Sequence, residues 1–257
     1  QGIAAEVGYS ETAFAQPASG PTRLVRYYSP EAEVPFCGHA TIALGRALGD
    51  ADGAGTYRLD TQAGEVTLEV ALEVALEVAI EGAATVATLT SVPPRSAPAD
   101  DVLVDAVLAQ LGWSRADLDP GFAPARTFAG AWHLVLAVAA RERLADLDYD
   151  FEGLRTVMVT DDLTTVNLVW LESPTVVHAR NPVPVGGVRE DPATGAAAAA
   201  LGGLLRDRGV IDVPHDLVVH QGHDMGRPSL LRVHVPETGG IRVSGQAVDL
   251  PDPASGA

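Results

Sequence analysis

Along the stretch VTLEVALEVALEVAIEG, apolar side chains take every second position, at Val66, Leu68, Val70, Leu72, Val74, Leu76, Val78 and Ile80. A period of two predicts a strand with one dry face, and it puts Glu69, Glu73, Glu77 and Glu81 on the wet one. Alanine, leucine and glutamate are also strong helix formers, so a helix carrying a glutamate stripe is the competing reading. Strand is preferred, and the glutamates read as a solvated face and not as a metal site. Tyr57–Asp60 and the Val66 run flank Thr61-Gln62-Ala63-Gly64, which predicts a hairpin.

Ile3, Ala4 and Val7 share one helical face, with Gly8 where that short helix stops. Tyr9, Ser10 and Glu11 lead into TAFAQ, which alternates like a strand; Glu11 thus lies at a helix-to-strand junction, where a side chain can face a cleft. Arg23–Tyr28 predicts another strand, followed by a loop bounded by Pro30 and Pro35. SVPPRSAPAD, residues 91–100, reads as a linker. Beyond it, 101–111 predicts a helix ended near Gly112, 131–139 a buried strand and 144–154 a helical or irregular stretch. Residues 157–159, 166–171, 175–179, 217–220, 230–235 and 241–248 read as strands. With the boundary in the linker, residues 1–97 form an N-terminal lobe and 98–257 a C-terminal lobe, the last strand being available to complete the first.

Two helical segments repeat each other. GHATIALGRAL, from Gly38 to Leu48, and GAAAAALGGLL, from Gly195 to Leu205, share glycine, alanine or leucine at six aligned positions, and each follows a proline-containing loop, VPFC or EDPAT. A loop-then-helix unit found in both halves predicts two similar strand-rich lobes, each around one central helix. Helix N-termini carry unpaired N–H groups and partial positive charge, so two of them facing one cleft would hold a small acid without any charged side chain. The plainer alternative is that Gly38 and Gly195 permit close packing while Thr194 or Asp191 caps a helix.

Composition narrows the partners. The 257 residues are 47% hydrophobic and 20% charged, the profile of a globular chain with enough length for one large or two medium domains. With 34 acidic and 17 basic residues the net charge is −17, which argues against nucleic acid or an anionic membrane surface as partner. No apolar stretch reaches the roughly twenty residues of a membrane helix. The single cysteine, Cys37, excludes an internal disulfide and fits a cytoplasmic location. The chain opens on Gln1, which leaves room for an upstream segment. His215, His220, His223 and Asp224 are too loosely spaced to predict a metal centre, and no glycine-rich turn forms a dinucleotide fingerprint.

YSETAF, VPFCGHATIALG, HLVLAV, GGVREDPATGAAAAALGGLL, HQGHDMGRPSLLRV and VSGQAV, taken in order, resemble the phenazine-biosynthesis PhzF-like family, relatives of diaminopimelate epimerase. The resemblance implies an α+β fold of two pseudo-symmetric lobes, each a curved, mostly antiparallel sheet wrapped around a central helix, with the active site between them and a homodimer as the common assembly. It implies a cofactor-independent isomerase that moves a proton and a double bond on a small cyclic amino or hydroxy acid. By motif match Glu11 is the acid/base, with His39 and Asp191 supporting it, and neither a cofactor nor a metal is implied. Gly38, Thr194, Gly195 and Ala196 fall where backbone amides receive substrate groups. The chain departs from the family pattern in three places: the serine usual after the second glycine is Ala196, the aromatic of the R-x-F-x-P entry is Pro182, and the given sequence begins too late to contain the family's opening strand.

Proton removal beside a conjugated acid needs a nearby base and a sink for the charge that flows away. Glu11 suits the first requirement and the helix N-termini the second. A two-thiol racemase would need a second thiol before the second helix, where this chain has Thr194. Carbon–carbon bond hydrolysis or a lyase-like step from the same proton transfer, and a non-catalytic ligand-binding protein, are the alternatives.

Overall fold

The computed structural model describes residues 1–7, 11–16, 20–74 and 83–246. In chain order the elements are α1 (Gly2–Val7), β1 (Thr12–Ala15), β2 (Thr22–Tyr28), β3 (Glu33–Val34), α2 (Gly38–Asp52), β4 (Gly55–Thr61), β5 (Gly64–Val74), β6 (Ala83–Thr90) and β7 (Arg95–Pro98). Then follow α3 (Asp101–Leu111), β8 (Ala125–Phe128), β9 (Trp132–Ala137), α4 (Arg141–Ala145), α5 (Phe151–Thr160), β10 (Thr165–Ser173), β11 (Val176–Val183), β12 (Val188–Asp191), α6 (Gly195–Asp207), β13 (His215–Gln221), β14 (Ser229–Val235) and β15 (Arg242–Gln246).

The strands join in the order β1-β2-β4-β5-β6-β15-β14-β13-β11-β10-β9-β8-β7, with β3 on β2 and β12 on β11. Neighbours are antiparallel except β2–β4, β9–β10 and β11–β13. Pairing of β15 with β6 carries the end of the chain into the sheet of its first half. Helix α2 packs on β5, β6 and β15, and α6 packs on β7, β8, β14 and β15, so each lobe is a sheet around one helix. Burial on β5 explains the alternation: Val66, Leu68 and Val70 are buried, while Glu69 reaches out to an ion pair with Arg242.

Two apolar layers result. One gathers around α2 and α6, and includes Leu68, Leu89, Leu201 and Val243. The other lies on the far side of β9 and β10, where Leu134, Leu136 and Leu168 meet Val107 of α3 and Leu154 and Met158 of α5. Because β9 is covered on both faces, its sequence HLVLA is continuously apolar after His133 and shows no alternation.

Several expectations need correction. The proline-rich stretch 91–100 is not a plain linker, because Arg95–Pro98 forms edge strand β7 against β8. Its four exposed residues and terminal Pro98 suit an edge, where a missing N–H costs no ladder bond. Residues 157–159 are not a strand but the last part of α5, whose Leu154 and Met158 sit one turn apart on the buried face. α1 forms as expected, yet buries only Ala4. Short strands β8 and β12 carry no readable alternation. Gly8, Tyr9, Ser10, residues 75–82 of the LEVA tract and 247–248 of the last expected strand lie outside the described residues.

Candidate functional site

The first turns of α2 and α6 meet end to end. A β-carbon on Gly38 would stand 3.0 Å from the Cα of Gly195 and 3.1 Å from the amide nitrogen of Ala196. Only glycine allows two backbones that close, which accounts for the shared glycine of the two repeats. The first turns also differ from those of α3 and α5. Asp100 accepts from the Val102 N–H and Asp150 from the Gly153 N–H, so those helices are capped by side chains. Neither Cys37 at the start of α2 nor Thr194 at the start of α6 caps its helix in this way. The side chains of these two cap residues leave the first-turn N–H groups uncapped, and such groups are what an anion meets at a helix start.

Glu11, His39 and Asp191 converge at this junction. Glu11 Oε2 is 3.2 Å from His39 Nε2, and Asp191 Oδ1 is 3.3 Å from His39 Nδ1, so the imidazole bridges two carboxylates, one from each lobe. Glu11 Oε2 is buried and accepts no hydrogen bond. Cys37 Sγ lies 3.5 Å from each ring nitrogen of His39.

Electrostatics follow from this packing. Burial opposes charge on His39, but the facing Asp191 carboxylate outweighs it and holds the imidazole well above its ordinary value of 6.5. Burial would raise the Asp191 carboxyl, whereas His39, the Ala193 N–H and the Thr194 hydroxyl hold it below 3.8. Burial pushes the Cys37 thiol up to about 11, so it is a neutral, weakly nucleophilic group.

A buried polar row supports Asp191 from behind. Its Oδ1 accepts from the Ala193 N–H at 3.1 Å and its Oδ2 from the Thr194 hydroxyl at 2.8 Å. Gln221 accepts from the Thr194 N–H at 3.1 Å, and its amide donates to the Asp191 carbonyl at 2.7 Å and the Thr194 hydroxyl oxygen at 2.8 Å. Asn181 pairs with Asp191 across β11 and β12 and accepts from Thr165, whose hydroxyl oxygen is 2.8 Å from Nδ1 of buried His133. Asn167 donates to the Ala197 carbonyl in the first turn of α6. The inner face of β9–β13 is therefore apolar under most of α6 and polar under its start. Arg180 fastens β12 to β11 through two bonds to Glu190, at 2.9 and 2.6 Å, and donates at 2.8 Å to the Ala145 carbonyl.

All seven residues singled out in the sequence lie at or beside this junction: Glu11, Gly38, His39, Asp191, Thr194, Gly195 and Ala196. The Thr194 hydroxyl donates to Asp191 Oδ2. Ala196 is buried and its amide nitrogen packs close to Gly38. Gln221 was missed, although it had a signal. It is the third residue of the buried series Leu217, Val219, Gln221, and a polar side chain in that register before a glycine needs a polar partner. His215 bonds to the Pro174 carbonyl and Asp224 to Arg141, so these two are occupied structurally. Among the described residues, Glu11, Cys37 and His39 bring one donor atom each to within 4.8 Å of one another.

The sequence pattern of the PhzC–PhzF family, described as phenazine biosynthesis-like protein, matches residues 1–252. An uncharacterized isomerase of Deinococcus radiodurans is 32% identical over 254 residues, covering 95% of this chain and 78% of the relative. The trans-2,3-dihydro-3-hydroxyanthranilate isomerase of Pseudomonas fluorescens is 28% identical over 235 residues, covering 90% of this chain and 77% of the relative. Among solved structures, a PhzF-family phenazine biosynthesis protein of Bacillus anthracis superposes with a TM-score of 0.79 at 21% identity, over 97% of this chain and 86% of that one. A hydroxyproline epimerase of Agrobacterium vitis shares the fold with a TM-score of 0.67 at 13% identity, over 95% and 77%. With the whole-length family match and these relatives, the chain belongs to the phenazine biosynthesis-like PhzC–PhzF family and is an isomerase of that family.

Proposed function

We propose that this isomerase moves a proton and a double bond on a small cyclic amino or hydroxy acid without a cofactor, with Glu11 as the acid/base. The observation that carries this reading is the buried, unbonded Oε2 of Glu11 beside His39, at the meeting point of two uncapped helix N-termini. Glu11 takes a proton from carbon, and the electron pair of the broken C–H bond enters the conjugated system of the acid. The N–H groups of Gly38, Gly195 and Ala196 receive the oxygen on which that charge accumulates. Glu11 then returns the proton to another carbon, so no oxidant, reductant or leaving group is required. His39, held charged by Asp191, donates to a substrate oxygen, and Asp191 with Thr194 fixes the substrate's amino or hydroxyl group.

The substrate class draws support from the Pseudomonas relative, named for a dihydro-hydroxyanthranilate. Thr194 argues against a two-thiol racemase, because its hydroxyl stands where a second thiol would and is engaged with Asp191. The same reading takes the working form as a cytoplasmic homodimer, which analytical ultracentrifugation tests for assembly. The test of the chemistry is deuterium incorporation from D2O into a panel of cyclic amino and hydroxy acids. Exchange that vanishes in Glu11→Gln supports the reading; products of ring or chain cleavage would support the lyase-like alternative, and turnover that survives Glu11→Gln would exclude Glu11 as the shuttle.

A further inference from the structure

We propose that Glu11, Cys37 and His39 together form a capture site for a thiophilic divalent cation such as zinc, and that its occupancy silences the isomerase. Carboxylate, imidazole and thiolate are the three side chains that bind zinc, and here one of each presents a donor atom within 4.8 Å of the others. His39 Nε2 stands 3.2 Å from Glu11 Oε2 and 3.5 Å from Cys37 Sγ. Ligands at about 2.0–2.3 Å in a tetrahedron are separated by about 3.3–3.6 Å, so the set closes around one ion when Cys37 Sγ swings from over the imidazole face toward Nε2.

The surroundings match as well. His39 turns its other ring nitrogen to Asp191 Oδ1 at 3.3 Å, the carboxylate–histidine arrangement that orients metal-binding imidazoles. Asp191 is itself held by the Ala193 N–H and the Thr194 hydroxyl. Glu11 Oε2 is buried, makes no hydrogen bond and is met by His39 in a 3.2 Å ion pair, so a cation there would replace the imidazolium as its partner. The thiol and the imidazolium each release one proton to solvent as one doubly charged cation enters, so the charge between Glu11 and Asp191 is conserved. Three protein ligands leave a fourth position for water.

Silencing rests on the proton-transfer reading, since the ion occupies the carboxylate that would shuttle the proton; capture of the ion does not. The experiment separates the two. Cadmium, which shares zinc's ligands and gives ultraviolet absorption when bound by thiolate, is titrated into the full chain and then competed with zinc. The expected result is a band saturating at one equivalent, lost in Cys37→Ser and shifted to at least about tenfold weaker binding in Glu11→Gln. Absence of the band, or undiminished affinity in Glu11→Gln, overturns the proposal, the second because the thiol alone then holds the ion. Should Cys37→Ser fail to fold, the Glu11→Gln titration decides by itself. Zinc-loaded protein that still exchanges substrate hydrogen with D2O would leave capture standing and overturn the silencing.

Discussion

Gly38 and Gly195 touch: the position of a β-carbon on the first is 3.0 Å from the Cα of the second. Two helices that begin at such a contact bring two partial positive charges together, an arrangement that repels unless negative charge is placed nearby. Glu11 and Asp191 supply that charge from opposite lobes, and a substrate carboxylate would add to it. The repeat in the sequence, the close backbone contact and the pair of acids are thus parts of one electrostatic arrangement.

Gly38→Ala is expected to lower stability by about 1–3 kcal/mol, because the added methyl meets backbone that cannot rotate away. Gly2→Ala, where nothing lies within 4 Å, serves as the control and should change stability by no more than about 0.5 kcal/mol. Urea unfolding of both variants checks the difference. Equal midpoints would mean that the two helix ends are free to move apart.

Gln221→Ala is expected to cost about 1–3 kcal/mol by leaving the buried Thr194 N–H and Asp191 carbonyl unpaired. It should also reduce kcat more than it raises KM, since Asp191 and the start of α6 lose their common anchor. Gln221→Glu, which keeps the acceptor and loses the amide donor, should restore the bond to the Thr194 N–H only. Denaturation curves together with steady-state kinetics distinguish this from a purely structural loss.

Much of this was legible in the sequence, for identifiable reasons. The helix at Asp101–Leu111 announces itself by Asp100 and Gly112, and both perform as caps, Gly112 in the left-handed region at φ 64°. The hairpin of β4 and β5 follows from its alternation and turn, and the repeat located both helix starts. What was hidden depended on pairing across the chain. β7 is a strand only because β8 lies beside it, and 157–159 looked like a strand because three apolar-rich residues cannot reveal a helical period. For the same reason Gln221 and Asn181 stayed silent as neighbours of Asp191: their importance comes from register across β11, β12 and β13, which a linear pattern does not display.

Histidines 39 and 133 should give the stability of the protein opposite pH dependences. His39 has a raised folded value, so its contribution is complete below 6.5 and is lost as pH rises through the higher folded value. His133, fully buried and beside Thr165, is pushed down to about 3 by burial. The unfolded chain takes up a proton below 6.5 that the folded one refuses, so stability falls as pH drops from 6.5 toward about 3, by at most about 1.4 kcal/mol per unit. Unfolding free energies measured across this range should become less acid-sensitive in His133→Gln and less alkali-sensitive in His39→Gln. Parallel curves for parent and His133→Gln between pH 4 and 6 would show that His133 is protonated in the folded state.

Asp191→Asn tests the link between the two lobes at the level of a single charge. The substitution keeps the size of the side chain and an oxygen acceptor for the Ala193 N–H or the Thr194 hydroxyl, but removes the negative charge 3.3 Å from His39 Nδ1. With that charge gone, burial dominates and the His39 imidazole should titrate well below its parent value, an effect that NMR of the ring protons reads directly. Turnover should fall by about 10²–10⁴-fold, the range for losing a positioned proton donor, with Glu11 still in place. A variant that lost activity while His39 kept its parent titration would assign Asp191 to substrate contact alone, and the coupling through the imidazole would have to be abandoned.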